Sequence, residues 1–196
     1  MKRAFDLLFS FLGILFLLPF YIIIALLIVI DSKGGVFYRQ ERTGKNNKMF
    51  KVMKFRTMRP DSFAKGALTV GSRDPRITRV GYYLRKYKLD ELPQLFNVIA
   101  GEMSFVGPRP EVKKYTDLYT ESQRKVLSVR PGITDYASIK FRNENDLLSA
   151  SDDPEKLYIE EIMPEKLDLN LKYISDNNIF KDIKIIFDTF YVIVKD

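Results

Sequence analysis

The chain has 196 residues, enough for one domain with a core and a short appendage. It contains no cysteine and no histidine, which excludes disulfides, thiolate nucleophiles, histidine-dependent triads and cysteine or histidine metal sites, and leaves acid–base or nucleophilic work to Asp, Glu, Lys, Tyr, Ser or Thr. The net charge of +7 is uneven: residues 1–60 carry 11 basic against 3 acidic side chains, residues 61–140 carry 14 against 9, and residues 141–196 carry 7 against 13.

Leu7 to Ile30 is apolar except for Ser10, Gly13 and Pro19. As a straight helix this run reaches roughly 36 Å, against a bilayer core of about 30 Å. It is too long for a signal peptide, and no small-residue cleavage site follows Ile30. It is apolar on every face, unlike a buried soluble helix. Pro19 removes a backbone hydrogen bond near the middle and predicts a kink. Lys2 and Arg3 flank one end, and Lys33, Arg39, Arg42 and Lys45 follow the other. Cations at both ends favour a re-entrant helix with both ends cytoplasmic; a bitopic span is the alternative. Asp6 and Asp31 bracket the run, at the expected level of the lipid headgroups. The basic part of the chain adjoins this segment, so anionic lipid or phosphorylated substrates are the natural partners. No nucleic-acid recognition motif is present, and nucleic acid is not expected as a partner.

After the Gly34-Gly35 turn, residues 36–40 read as a short strand and residues 43–47 as a turn. Phe50 to Met58 alternates with period two, so Lys51, Lys54 and Arg56 either line a functional polar face or solvate an edge strand. Residues 59–75 read as a loop containing Pro60, Gly66, Gly71 and Pro75. Arg73, Arg76 and Arg79 recur three apart, a spacing suited to phosphate or to salt bridges with local acids. A short helix is predicted from Val80 to Lys86.

Leu89-Asp90-Glu91-Leu92-Pro93-Gln94-Leu95-Phe96-Asn97 follows. Asp90 suits a helix N-cap, Pro93 the first turn, and Gly101 the stop. By spacing alone, the two carboxylates read first as ordinary helix capping. The competing reading is a carboxylate nucleophile and a metal-binding carboxylate at a phosphate-friendly helix start. Residues 103–106 read as a buried strand. In Gly107-Pro108-Arg109-Pro110-Glu111, Arg109 is held on a stiff stalk between two prolines, suited to clamping phosphate.

Residues 112–128 read as an amphipathic helix, 130–134 as a turn, 137–141 as a strand and 144–155 as an acidic loop. Residues 157–172 read as a helix interrupted near Pro164. Ile179 to Val194 reads as a helix with Phe180, Ile183, Phe187, Phe190 and Val194 on one stripe, placed in the membrane interface.

In order, Lys2-Arg3-x-x-Asp6 before the proline-containing apolar run, Phe50-Lys51 through Lys54-Phe55-Arg56-Thr57-Met58, Leu84-Arg85, Leu89 to Asn97, Gly101 to Glu111, and Arg130-Pro131-Gly132-Ile133-Thr134 together resemble the bacterial sugar transferase family, the monotopic phosphoglycosyl transferases. The resemblance runs from Lys2 to Arg142, most specifically over Leu89 to Glu111, and is to the minimal form of the family. It implies an α+β protein. Residues 1–31 would be a proline-broken re-entrant anchor. Residues 32–196 would be a mostly helical cytoplasmic catalytic domain with a small β element and amphipathic interfacial helices.

The resemblance further implies transfer of a sugar-1-phosphate from a UDP-sugar to undecaprenyl phosphate at the bacterial inner membrane, with release of UMP, as the first membrane step of glycoconjugate synthesis. Asp90 would be the nucleophile and Glu91 the ligand of Mg2+. Arg109 would contact the nucleotide, and Lys54, Arg56 and Arg85 the phosphates. Partners would be the two substrates and membrane lipids, with a homodimer left open. A non-catalytic membrane adaptor and a lipid phosphatase are the competing functions. Asp135-Tyr136-Ala137-Ser138-Ile139 departs from the family pattern, so the sugar is not inherited from any relative.

Overall fold

The computed structural model describes residues 1–60 and 74–195. The arginine series predicted at 73, 76 and 79 therefore lies partly outside the described residues. Within them, Arg76 grips Asp74, with Nε 2.9 Å from both carboxylate oxygens, the local salt bridge of the two readings.

Helix α1 (Lys2–Asp31) is a single element of about 45 Å that runs through Pro19. It is long and apolar enough to cross a membrane. One narrow stripe is buried: Asp6, Ser10, Tyr21, Ile24 and Ile28, with Gly13 close to Leu95. Much of the rest of the helix is bare, with Phe11 and Leu15 each 62% exposed and Phe16 76%. Asp6 and Asp31, expected at the headgroup level, both bond to the body. Asp6 is buried and accepts from Ser104 Oγ at 3.1 Å and Phe105 N at 3.2 Å. Asp31 Oδ2 accepts from Val80 N at 2.9 Å.

Strands β1 (Phe37–Thr43) and β2 (Met49–Phe55) form an antiparallel hairpin around a tight turn in which Asn46 and Asn47 take positive φ. The hairpin leads to α2 (Arg79–Lys86), N-capped by Thr78, whose hydroxyl accepts from Gly81 N at 3.0 Å. Then comes a 3-10 turn at Leu89–Glu91 and α3 (Gln94–Ala100), stopped by Gly101 at φ 84. Strand β3 (Ser104–Val106) pairs in parallel with β4 (Gly132–Thr134).

The remaining elements are helical: α4 (Lys113–Thr116), a 3-10 stretch at Gln123–Ser128, α5 (Tyr136–Lys140), α6 (Glu144–Ser149) and α7 (Pro154–Leu157). A π-helical turn at Tyr158–Ile162 follows, then α8 (Met163–Ser175) and α9 (Ile179–Lys195). The chain is thus mixed helix and sheet with one apolar N-terminal helix.

Four expectations are corrected. The single helix over 112–128 is broken, because Thr120 and Gln123 cap each other: Gln123 Oε1 accepts from Thr120 N at 2.9 Å, and Thr120 Oγ1 accepts from Gln123 N at 3.3 Å. Residues 137–140 are helix rather than strand, with Phe141 as the C-cap, because Asp135 caps α5 through Ser138 N at 2.6 Å. Residues 130–134 hold strand β4 where a turn was predicted. The acidic loop over 144–155 contains α6 and the start of α7, the latter N-capped by Asp153 through Lys156 N. Pro164 falls in the first turn of α8, where its missing N–H is harmless, and the irregularity lies just before it as the π turn.

Several apolar clusters fix these pieces. Tyr21, Ile24 and Ile28 of α1 pack with Phe55 of β2 and Leu84 of α2. Phe50 and Val52 pack with Val98 and Met103. Val106, Tyr173 and Ile185 join β3 to the last two helices. The largest cluster includes Tyr115, Tyr119, Tyr158, Ile162 and Leu167.

Candidate active site

The sequence pattern makes Asp90 a helix cap, and the geometry does not. Lys88 takes a left-handed conformation (φ 55) and throws residues 89–91 into a 3-10 turn ahead of α3. No side chain of that turn caps it. Asp90 is 6% exposed, and its Oδ1 is buried with no hydrogen-bond partner. An unpaired buried acceptor is costly and rare, so Asp90 is held for something other than helix stability.

Glu91 is in the opposite condition. Arg109 Nη1 donates to its Oε2 at 3.0 Å, and Arg109 Nη2 donates to its Oε1. Lys54 Nζ donates to the same Oε1 at 2.9 Å. A bidentate guanidinium and an ammonium therefore share one carboxylate. Neighbouring residues in the chain thus present one bare carboxylate and one doubly paired one.

Charge states follow. Burial raises the Asp90 carboxyl above its ordinary value, Lys54 opposes that only in part, and the Glu91 charge adds to it. Burial pushes Glu91 upward too, but Arg109 and Lys54 outweigh it and hold the group well below the usual carboxylate range. Burial lowers the Lys54 ammonium, with Glu91 opposing. Glu91 raises the Arg109 guanidinium. Arg85 is lowered by burial, with Asp90 the leading charge against it. Its Nε donates to Thr57 Oγ1 at 2.9 Å.

Lys54, Arg85, Asp90, Glu91 and Arg109 all border one cavity of about 850 Å3, within the range of small-molecule sites. Arg56 is not among them. It is 4% exposed, and its guanidinium wraps the end of α1, donating to the carbonyls of Ser32 at 2.7 Å, Lys33, and more distantly Gly34 and Ile28. The structure does not bring Arg56, expected at the phosphates, to this cavity: its guanidinium finishes the end of α1. Pro19 lies inside α1, off the buried stripe.

Two residues that support the site were missed by sequence reasoning. Asp135, 1% exposed, accepts from Arg109 N at 3.1 Å through Oδ2 and from Ser138 N through Oδ1. Its signal was the ordinary one of an Asp before a helical segment. Thr57, which orients Arg85, continues the alternation of β2 and was not separable from a surface strand residue. The Arg109 stalk is set by backbone contact: Gly132 N donates to Pro108 O at 3.0 Å, and a Cβ on Gly132 would lie 2.2 Å from Gly107 N.

A divalent cation can be tested against this donor set. Glu91 Oε1 already accepts twice and Oε2 once, so Oε2 retains a lone pair. Asp90 Oδ1 has both. Among the described residues no group of three or more acidic side chains is gathered for a metal. Two carboxylates without a full cage fit Mg2+, which takes its other ligands from water and substrate phosphate.

A family model described as bacterial sugar transferase matches residues 1–196. The undecaprenyl-phosphate glucose phosphotransferase of Komagataeibacter xylinus is 42% identical over 195 residues, 96% of this chain and 35% of that protein. The exopolysaccharide production protein PSS of Rhizobium leguminosarum bv. phaseoli is 39% identical over 197 residues, covering 96% and 92%. The UDP-N-acetylgalactosamine-undecaprenyl-phosphate N-acetylgalactosaminephosphotransferase of Aeromonas hydrophila is 34% identical over 196 residues, covering 98% and 43%. The chain spans well under half the length of the first and third of these relatives.

Proposed function

The chain belongs to the bacterial sugar transferase family, and on that premise we propose that it moves a sugar-1-phosphate from a UDP-sugar to undecaprenyl phosphate through a covalent intermediate on Asp90. The observation that carries the reading is the unequal pair: a bare, buried Asp90 oxygen beside a Glu91 held by Lys54 and Arg109. Ionised Asp90 attacks the sugar-bearing phosphorus. The bond to the bridging oxygen breaks, and UMP leaves with the electron pair. A phosphate oxygen of the acceptor then attacks the same phosphorus and releases the Asp90 carboxylate, leaving a polyprenyl diphosphate sugar. Neither step requires a histidine, because the demand is for charge neutralisation more than proton transfer. Lys54, Arg85 and Arg109 supply positive charge at the pair. Mg2+, held by Glu91 and Asp90, would add charge neutralisation for the diphosphate. Splitting the transfer lets a water-soluble donor and a lipid acceptor use one site in turn. The relatives are named for different sugars, so the sugar itself is left to assay.

Residues 1–31 serve as a re-entrant anchor and residues 32–196 as a catalytic domain on the cytoplasmic face of the inner membrane. Support comes from both ends of α1. Near its start, Arg3 donates to Val98 O at 2.7 Å and Ile99 O at 3.1 Å, and Lys2 pairs with Asp182 of α9. At its end, Arg56 of β2 takes the terminal carbonyls. A helix crossing a bilayer core of about 30 Å would put these two ends on opposite sides, while one body holds both. The cations around the ends favour the cytoplasm.

The function is tested by incubating the protein in membranes with labelled UDP-sugars, Mg2+ and undecaprenyl phosphate. UMP release matched by labelled lipid supports it. Orthophosphate release would indicate a lipid phosphatase, and no turnover an adaptor. Asp90→Asn should abolish trapping of the phosphosugar on the protein; retained covalent label sinks the assignment. For the anchor, single cysteines at residues 2 and 33 should both be shielded from a periplasmic thiol reagent, and labelling of one alone refutes the re-entrant form.

A further inference from the structure

One lobe of the cavity is unused by the steps above. It lies where α5 packs on α8. On α8, Met163, Lys166, Leu167 and Asn170 recur three or four apart and line the cavity with one helix face. Asn170 is 5% exposed, yet its Oδ1 accepts no hydrogen bond. Ser138 of α5 lines the same cavity, and its Oγ is also buried without a partner. Most buried polar atoms are paired, and leaving one unpaired is costly. Two on the walls of one ligand-sized cavity, from helices that pack together, mark a place where a ligand brings the missing hydrogen bonds.

The chemistry of that ligand is constrained. An amide oxygen accepts only, so Asn170 Oδ1 needs an O–H or N–H, which ionised phosphate lacks. The charges at this lobe are already matched, since Lys166 Nζ lies 2.7 Å from Glu144 Oε2 and both line the cavity. The unmet capacity is therefore neutral and polar. The lobe also joins the carboxylate pair through one side chain: Asp135 accepts from Ser138 N and from Arg109 N, and Arg109 holds Glu91.

We propose that Asn170 and Ser138 recognise the sugar of the donor, Asn170 Oδ1 accepting from a ring hydroxyl or a 2-acetamido N–H and Ser138 Oγ exchanging a hydrogen bond with a second polar substituent. This rests on the donor being a UDP-sugar. The sugar is bonded to the phosphorus that Asp90 attacks, so it must occupy a lobe adjoining the pair.

The test is calorimetric binding to the full chain in nanodiscs with Mg2+. The probes are UDP, UDP-glucose, UDP-galactose, UDP-N-acetylglucosamine and UDP-N-acetylgalactosamine. The wild type is compared with Asn170→Ala and Ser138→Ala. Each variant should lose roughly tenfold in affinity for the preferred UDP-sugar, the worth of one hydrogen bond, with UDP affinity unchanged and the ranking of sugars altered. Retained UDP binding shows that a variant is folded, and Ser138→Ala, at a half-buried site, carries the test if Asn170→Ala does not fold. An equal loss for UDP and UDP-sugar, or no loss for either, overturns the proposal while leaving the transfer function standing. Wild-type protein that binds none of the UDP-sugars overturns both.

Discussion

Replacing Arg56 separates the two roles a buried cation in this chain can have. Arg56→Met keeps much of the aliphatic volume and removes the guanidinium. That guanidinium donates to Ser32 O at 2.7 Å and to Lys33 O, with longer approaches to Gly34 and Ile28. Hydrogen bonds to a charged group are worth about 1.5–3 kcal/mol each. At 4% exposure, water cannot replace them in place. Two such bonds give an expected loss of about 3–6 kcal/mol. For a chain of this size that is a fall in Tm of roughly 6–24 °C. Arg56→Lys should fall between, since an ammonium offers a point charge and not a fork. Thermal unfolding in nanodiscs reads the loss, and steady-state kinetics below the transition reads the function. The expected result is a KM for the UDP-sugar within twofold of wild type. An unchanged Tm with a tenfold higher KM would refute the reasoning and return Arg56 to the phosphates.

The carboxylate pair should show opposite stability signs, measured by thermal unfolding across pH in the presence of EDTA. Asp90 is raised in the folded protein, so its contribution is fully present below the ordinary carboxyl range and lost as pH rises; Asp90→Asn should therefore be more stable than wild type at pH 7, with the gap closing toward pH 4. Glu91 is lowered, so its contribution is present above the ordinary range and lost in acid; Glu91→Gln should be less stable at pH 7, and the deficit should vanish as pH falls. Each unit of displacement is worth about 1.4 kcal/mol. Asn97 accepts from Met53 N at 2.9 Å and donates to Lys51 O at 2.8 Å and to Glu102 at 2.7 Å, so Asn97→Ala should cost about 2–4 kcal/mol in denaturant unfolding. Gly132→Ala drives a methyl into the Gly107 backbone; it should destabilise by roughly 3 kcal/mol and reduce kcat through the displaced Arg109 stalk, and a wild-type kcat would show that the stalk is not set there.

What was legible in the sequence was whatever depended on neighbours in the chain. The apolar run, the β1–β2 hairpin, α2, the Gly101 stop and α9 all follow from local periodicity and turn residues. The errors have two causes: partners that lie far away, and local capping bonds that the residue pattern does not select. Arg56 reads as one cation in a basic strand, and its acceptors precede it by 22 to 28 residues. Asp90 reads as a cap because the pattern around it is a capping pattern, and only the left-handed Lys88 shifts the helix start to Gln94. Residues 137–141 alternate like a strand, but a single Asp135 hydrogen bond selects a helical turn. Residues 132–134 become a strand only because β3 lies alongside. The family resemblance named Lys54, Arg85 and Arg109; it could not reveal that Lys54 and Arg109 converge on Glu91 and leave Asp90 unpaired.

The hydroxyl of Tyr21 donates to Leu92 O at 2.7 Å, one residue past Glu91. Tyr21 lies on the buried stripe of α1, two residues beyond Pro19. The apolar helix and the Asp90-Glu91 turn are therefore joined by a direct hydrogen bond. Whatever depth the apolar surface of α1 adopts in a leaflet, Asp90 adopts with it. Under the proposed function, bilayer thickness becomes a mechanical setting: thinner or thicker leaflets would raise or lower Asp90, the proposed nucleophile, relative to the plane of lipid phosphates.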